Sequence, residues 1–176
     1  LASSVRSCAG GARVSLLMNV AGVLHEEGMP EKSLAAVDAS VMARVFAINA
    51  IGPVLVAQAV APLLAEGGVV ANLSARVGSI GDNRLGGWWS YRMSKAALNM
   101  ATRNLSVELA RKGATAVALH PGTTDTHMSV PFQRNVRPEQ LHTADATARM
   151  LLDVVARLRP EDSGGFFAYD GSKIEW

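Results

Sequence analysis

With one cysteine, Cys8, in 176 residues, the chain can form no internal disulfide and offers no multi-cysteine metal site. Its 4 histidines, His25, His120, His127 and His142, include no pair one helical turn apart, which removes the usual helical zinc site. Long hydrophobic runs are also lacking. The longest apolar stretch, Val54 to Ala65, is broken by Gln58 and by Pro53 and Pro62 beside or inside it, short of the roughly 20 residues that cross a bilayer. Nor is there a block of one charge: 17 basic and 15 acidic residues are interspersed, and the densest basic stretch, 134–137, holds only Arg134 and Arg137. With no basic stripe and no nucleic-acid motif, neither nucleic acid nor membrane is an expected partner. The first residues, Leu1 to Arg6, carry no apolar run of a secretory signal, so a reducing, cytoplasmic location is expected.

What is present is a 49% apolar chain, enough for one globular domain over residues 1–176, with its apolar residues spread through alternating segments. A short helix is expected up to Ala9, closed by Gly10-Gly11. Val14 to Val20 reads as a strand buried on both faces, followed by a polar loop with Gly28 and Pro30. Val41, Val45 and Ile48 on one stripe, and Met42, Phe46 and Asn49 on its neighbour, predict a helix from Ser40 to Glu66, ended by Gly67-Gly68. A second strand is expected over Val69–Leu73. Ser90 is placed to cap a long helix running to about Lys112, where Gly113 closes it. A third strand, Thr115–Leu119, stops at Pro121-Gly122; a helix from Thr143 to Leu158 and a strand from Gly165 to Tyr169 complete the chain. Alternating strands and helices are the signature of a parallel sheet with right-handed crossovers. Ligands of such sheets sit beyond the carboxyl ends of the strands, which here are Asn19 to Gly22, Ser74-Ala75 and His120 to Gly122.

Tyr91 and Lys95 lie one helical turn apart and share a face that continues through Leu98, Thr102, Leu105 and Leu109. A phenol and an ammonium heading a mostly apolar stripe either pack and snorkel or line a pocket. In a pocket, a nearby ammonium would favour the phenolate and draw the tyrosine pKa from about 10 towards neutrality. Such a tyrosine can give a proton to a carbonyl oxygen or take one from an alcohol. Asn49 lies near an apolar face, and Pro53, four residues on, has no N–H for the carbonyl of Asn49, so the helix is expected to kink there.

Around Tyr91-Arg92-Met93-Ser94-Lys95 the chain resembles the short-chain dehydrogenase/reductase family. Asn19-Val20-Ala21-Gly22 is similar to the family's Asn-Asn-Ala-Gly, Asn49 to the asparagine of its central helix, and Pro121-Gly122-Thr123-Thr124-Asp125-Thr126 to its Pro-Gly-x-x-x-Thr loop. The order and spacing agree over nearly the whole chain. Residues 72–83 and Tyr169-Asp170-Gly171 look most like the C-factor and Sniffer-type carbonyl reductase branch. The resemblance implies an α/β, Rossmann-like doubly wound parallel sheet. It also implies NAD or NADP as cofactor, a small carbonyl or alcohol substrate, and a homodimer through the two long helices. These carry apolar or small residues, Ala57, Ala61, Ala97 and Ala101 among them, on more than one face, one to cover the sheet and the rest to meet a second copy. In that pattern Tyr91 is the general acid/base and Lys95 lowers its pKa and holds the nicotinamide ribose. Asn49 holds a relay water, and Asn19, Ala21, Gly22, Pro121, Gly122, Thr124 and Thr126 line the cofactor.

Two departures qualify the resemblance. The glycine-rich turn that cradles a pyrophosphate belongs before the Asn-Ala-Gly region, yet only 18 residues precede Asn19 and Gly10-Gly11 does not follow a strand. The chain therefore reads as the C-terminal portion of the fold, lacking about two βα units, and inactive by itself. The serine that binds the substrate oxygen would stand at Ala75, whose methyl group cannot donate a hydrogen bond. Ser74 is the nearest candidate to replace it, with Ser79 as a second. These departures keep open an alternative, a non-catalytic member of the fold acting as a signalling or structural subunit. Met128, Val130, Pro131 and Phe132 suit an apolar substrate, and of Trp88 and Trp89 one is expected to line the pocket and one to pack on a partner.

Overall fold

The computed structural model describes residues 2–25 and 29–176; Gly28, assigned above to the loop after the first strand, lies outside them. Helix α1, Ala2–Ala9, ends at Gly10 and Gly11, both at positive φ, and strand β1, Val14–Asn19, follows. β1 stops one residue short of the expected Val20, which is largely exposed. Asp38 rather than Ser40 starts the next helix: its carboxylate accepts from the Ser40 and Val41 N–H groups at 2.8 and 3.0 Å.

From there helix α2, Ala39–Phe46, a π turn over Ala47–Ile51, helix α3, Gly52–Val60, and a 3-10 turn over Ala61–Leu63 run on without a break. The disturbance expected at Pro53 takes the form of the π turn just before it, which widens the helix by one residue instead of interrupting it. The result corrects the expectation about long apolar segments. Ala39–Leu63 is a 25-residue helix long and apolar enough, by length and composition, to cross a membrane. Here it carries Val45, Asn49, Ala50, Pro53, Ala57 and Val60 inward, in contact with β1 and with the long helix described next. Ala57 thus belongs to the face expected to cover the sheet.

Pro62 ends the helix earlier than Glu66, because Leu64 is already extended at φ −61°, ψ 139°. Strand β2 accordingly spans Leu64–Leu73, and Gly67-Gly68 sit inside it. They absorb a register shift against β1, where Val14 pairs with Leu64 but Leu16 with Val69.

Helix α4, Trp89–Leu109, does not use Ser90 as its cap. Gly86, Gly87 and Trp88 turn in the left-handed region (φ 63°, 66° and 50°), which starts the helix at Trp89 and puts Ser90 inside its first turn. There Glu31, 59 residues away, takes over capping. Its carboxylate accepts from the Ser90 hydroxyl and, at 3.4 Å, from the Ser90 N–H, and its charge suits a helix N-terminus. At the other end a 3-10 turn over Ala110–Lys112 and Gly113 at φ 64° close the helix as expected.

Strand β3, Thr115–His120, then leads to the short strands β4, Thr123–Thr124, and β5, Leu141–His142, which pair with each other in parallel. Helix α5, Ala144–Ala156, is capped by the Thr143 hydroxyl, and strand β6, Phe166–Ala168, ends the sheet. The main sheet is parallel throughout in the order β1-β2-β3-β6. Strand alternation splits its side chains between two cores. Val70 and Ala116 meet Val60 and Leu109 on the face covered by α3 and α4, whereas Ala71, Val117 and Leu119 meet Leu151 and Val154 of α5 on the other. Helices on both faces of a parallel sheet make the fold doubly wound.

Beneath α4 the sheet is joined by polar bonds rather than by apolar contact alone. Asn19 Nδ2 donates to Asn72 Oδ1 at 2.8 Å, Asn72 Nδ2 to Thr102 Oγ1 at 2.9 Å, and Thr102 Oγ1 to the Leu98 carbonyl at 2.8 Å. Asn72 and Thr102 are fully buried, so cutting the chain strands groups that water cannot reach. Asn72→Ala is expected to cost about 2–3 kcal/mol of stability, measured by urea denaturation. A loss below roughly 0.5 kcal/mol would show that the chain is not a unit.

Candidate active site

Parallel register decides where the site lies. Asn19 pairs with Asn72 and Leu73 with Leu119, so the segments after β1, β2 and β3 leave the sheet along one edge. That edge brings together Asn19 to Gly22, Ser74-Ala75 and His120 to Gly122, the strand ends marked in the sequence. α4 packs on one face of the sheet and turns Lys95, Asn99 and Thr102 to the end of β2.

Lys95 is the deepest charged group there, 4% exposed, and its Nζ donates to the Leu73 carbonyl at 2.8 Å. Two glycines allow this. A Cβ on Gly78 would stand 2.7 Å from the Lys95 Cβ, so only glycine lets the turn after β2 meet the helix. A Cβ on Gly22 would come within 3.4 Å of Asn49 Oδ1 and 3.5 Å of Lys95 Nζ, which places the β1 loop directly over both groups. Asn49, fully buried in the π turn, exchanges two bonds with the backbone of Val23: Oδ1 accepts from its N–H and Nδ2 donates to its carbonyl, both at 2.8 Å. Nδ2 also donates to Ser94 Oγ at 3.0 Å, and that hydroxyl donates to the Tyr91 carbonyl at 2.8 Å. Asn49, Lys95, Tyr91 and Gly22 therefore form one connected group, with Ser94 as a link that only its place between Tyr91 and Lys95 could have suggested.

The phenol of Tyr91 sits differently from the expectation. Lys95 Nζ is 5.7 Å from the centre of the Tyr91 ring, and it is turned to a backbone carbonyl. Burial pushes the Tyr91 phenol up to about 12 rather than down, and the same burial lowers the Lys95 ammonium to about 8. In this arrangement the ammonium is mostly charged at pH 7, while the phenol keeps its proton.

Ser74 does not take the place of the serine expected at Ala75. Ala75 remains extended (φ −151°, ψ 146°), so no turn redirects its neighbour, and Ser74 Oγ is buried and donates to Asn99 Oδ1 at 2.6 Å. Asn99 Nδ2 in turn donates to the Gly78 carbonyl at 3.2 Å. Ser79 is equally buried and accepts from the Asp82 N–H. Both hydroxyls serve loop and helix contacts.

The segment after β3 is more open. Thr124 Oγ1 shares a 2.9 Å bond with Thr147 Oγ1 of α5, while Thr126 is exposed and its hydroxyl donates to the Thr124 carbonyl at 3.4 Å. Gly122 holds φ 71° against the Tyr169 ring. Ahead of Pro121, burial lowers His120 to about 4, which leaves its imidazole neutral at pH 7.

As for a dinucleotide, the residues fit its nicotinamide end. Gly22 leaves open the space over Asn49 and Lys95 that a side chain would fill, and Lys95 offers a charged donor there. They do not fit its pyrophosphate end: the Gly10-Gly11 turn joins a helix to a strand, the reverse of the strand–turn–helix order that presents backbone N–H groups to phosphate.

Known proteins resemble the chain along nearly its whole length. The family described as enoyl-(acyl carrier protein) reductase matches residues 6–162. The C-signal protein of Myxococcus xanthus is 42% identical over 165 residues, covering 93% of each chain. The NADPH-bound carbonyl reductase of chicken fatty liver superimposes with a TM-score of 0.86 at 32% identity, over 99% of this chain and 71% of its own. The carbonyl reductase Sniffer of D. melanogaster gives a TM-score of 0.87 at 26% identity, with the same two coverages.

The lysine can be tested without any ligand. Its amine has a pKa of about 8 when folded against an ordinary value of 10.5, so between these pH values the unfolded chain holds a proton that the folded chain has released. Stability must then rise with pH across that window. Above pH 10 the Tyr91 phenol, which keeps its proton longer folded than unfolded, opposes the rise. Denaturation midpoints from pH 8 to 10 are expected to climb by the equivalent of about 2 kcal/mol, and Lys95→Met should flatten that slope. An unchanged slope in the variant would assign the effect to another group.

Proposed function

The chain belongs to the short-chain dehydrogenase/reductase family, and from that premise we propose that it serves carbonyl reduction with a nicotinamide dinucleotide, NAD or NADP, with Tyr91 as proton donor. The observation that carries the proposal is the connected group of Tyr91, Lys95, Asn49 and Gly22 at the carboxyl edge of the sheet. When bound, the dinucleotide supplies the hydride that reaches the carbonyl carbon. Everything else falls to the chain. Tyr91 gives its proton to the carbonyl oxygen, and a phenol held up to about 12 stays protonated until that oxygen turns basic. Lys95, anchored on the Leu73 carbonyl, presents positive charge beside the ring and holds the nicotinamide ribose. Asn49 locks the Val23 backbone in place, and the relay water of the family is assigned to it in this reading. Asn19, Ala21 and Gly22 form the floor, and Pro121, Gly122, Thr124 and Thr126 the side next to the nicotinamide.

A homodimer belongs to the same proposal. Met93, Met100 and Val107 form an exposed stripe at seven-residue spacing on α4, and Ile48, Ile51 and Leu55 form one on the neighbouring helix. Such paired apolar stripes suit a second copy of the chain. A second reading, a signalling or interaction subunit without catalysis, is favoured by one observation. Ala75 offers no hydroxyl, and the two nearby serines are bonded inward or within their loop.

Two experiments separate these readings. In a form of the protein that carries a glycine-rich strand–turn–helix unit, whether longer or grafted from a related reductase, Tyr91→Phe should lower the rate of carbonyl reduction by ~10²–10⁴ with an unchanged fold. Retention of more than about half the parent rate removes Tyr91 from the role, since general acid catalysis is worth far more than that.

The 176-residue chain alone is expected neither to bind NADPH measurably nor to turn over substrate, because the backbone groups that hold a pyrophosphate are not among its residues. Titration followed by nicotinamide fluorescence decides this. Saturable binding would mean that the phosphate site is built in another way.

A further inference from the structure

Trp88 is the one residue besides glycine at positive φ among those described, at φ 50°, ψ 46°. Gly86 and Gly87 also hold positive φ just before it, at the lower steric cost glycine offers. The turn into α4 would therefore be easier with a third glycine, and a bulky ring at this point is a burden to the fold. Its backbone is held there by a 2.5 Å bond from the Trp88 N–H to the Glu31 carbonyl. A strained position kept by its surroundings points to use of the side chain that it carries.

The ring is placed at the centre of an aromatic row. It meets Tyr91 edge to face at 6.3 Å and Phe132 at 4.9 Å, and Phe132 meets His25 edge to face at 6.2 Å. His25 follows β1, Trp88 lies between β2 and α4, and Phe132 stands in the 3-10 turn Val130–Asn135 after β3. The row thus joins the three loops that leave the carboxyl edge of the sheet and ends on the tyrosine. Trp88 and Phe132 are half-buried, whereas Trp89 is more exposed and turned to the surface.

We propose that Trp88 is the specificity-determining residue of this crevice. With Phe132 it forms an aromatic wall beside Tyr91 that favours a carbonyl compound bearing a flat, unsaturated ring over one bearing a saturated ring of the same size. The proposal rests on the reading of Tyr91 as the reacting group and deepens it. Tilted and edge-to-face contacts leave ring faces and edges for a further ring to meet, and such pairs favour an aromatic partner about 2- to 10-fold over an aliphatic one. A saturated ring would fill the space and miss that gain.

The test uses the 176-residue chain and two ketones of one skeleton, acetophenone and cyclohexyl methyl ketone, with affinities read by ligand-observed NMR. The parent chain is expected to bind acetophenone several-fold more tightly, within about 2- to 10-fold. Trp88→Gly should melt no lower than the parent, because glycine is at ease at that φ, and should bind the two ketones equally. Phe132→Leu keeps apolar bulk without a ring and should lose part of the preference, which covers the case in which the glycine variant folds poorly. Tyr91→Phe should keep the preference, so a failed assignment of the proton donor would show in turnover and not here. A parent chain with no preference, or one that binds neither ketone, overturns the proposal, as does a Trp88→Gly chain that folds and keeps the preference.

Discussion

The seam between the end of β2 and the helix α4 is the feature on which the rest of the site depends. Asn72 bonds to Thr102, the Leu73 carbonyl to Lys95, Ser74 to Asn99, and the Gly78 carbonyl again to Asn99. Consecutive groups of the strand end are thus matched, one by one, to polar groups on a helix that could have packed by apolar contact alone. Three of these bonds are buried and that of Lys95 is partly so, and a slip of the helix along the strand would leave several groups without partners at once. Tyr91 inherits its position from that seam, because it stands one turn before Lys95 on the same rigid helix.

Burial has opposite consequences for the two functional side chains. It weakens the lysine's charge and strengthens the tyrosine's hold on its proton. The lysine is compensated by the Leu73 carbonyl, to which its ammonium is turned, while it stands 5.7 Å from the centre of the Tyr91 ring. The pair is therefore arranged as an anchored cation beside a protonated phenol, the state that the proposed protonation of a carbonyl oxygen requires. The loops closing over it carry glycines at 22 and 78: a Cβ at 78 would clash with Lys95, and one at 22 would touch Asn49 and Lys95.

The long helix from Ala39 to Leu63 shows how one element can satisfy several demands. It is apolar enough to suit a bilayer, yet it bends its inner face around Asn49 through a π turn and turns Val45, Ala57 and Val60 to the core. The extra residue of that turn brings Asn49 into bonding distance of both Val23 and Ser94. Its outer face, Ile48, Ile51 and Leu55, stays apolar and uncovered.

Much of this was legible in the order of residues, because strand and helix periods, glycine stops and the Tyr91–Lys95 interval are local properties. The parallel sheet, the extent of α4 and α5 and the strand-end crevice follow from those signals, whereas Asn49 was joined to Tyr91 and Lys95 only by the family resemblance. What the order of residues did not reveal depends on partners far away in the chain. Ser90 looked like a helix cap until Glu31 reached it across 59 residues. Ser74 looked like a catalytic hydroxyl until Asn99 claimed it. The direction of the phenol's shift was likewise hidden, since desolvation and the aim of an ammonium arise only when elements pack. Local sequence thus determined which elements form and which chemistry they can bear. The tertiary structure alone decided which polar groups face the crevice and which are used up holding it together, because hydrogen-bond partners are chosen in space.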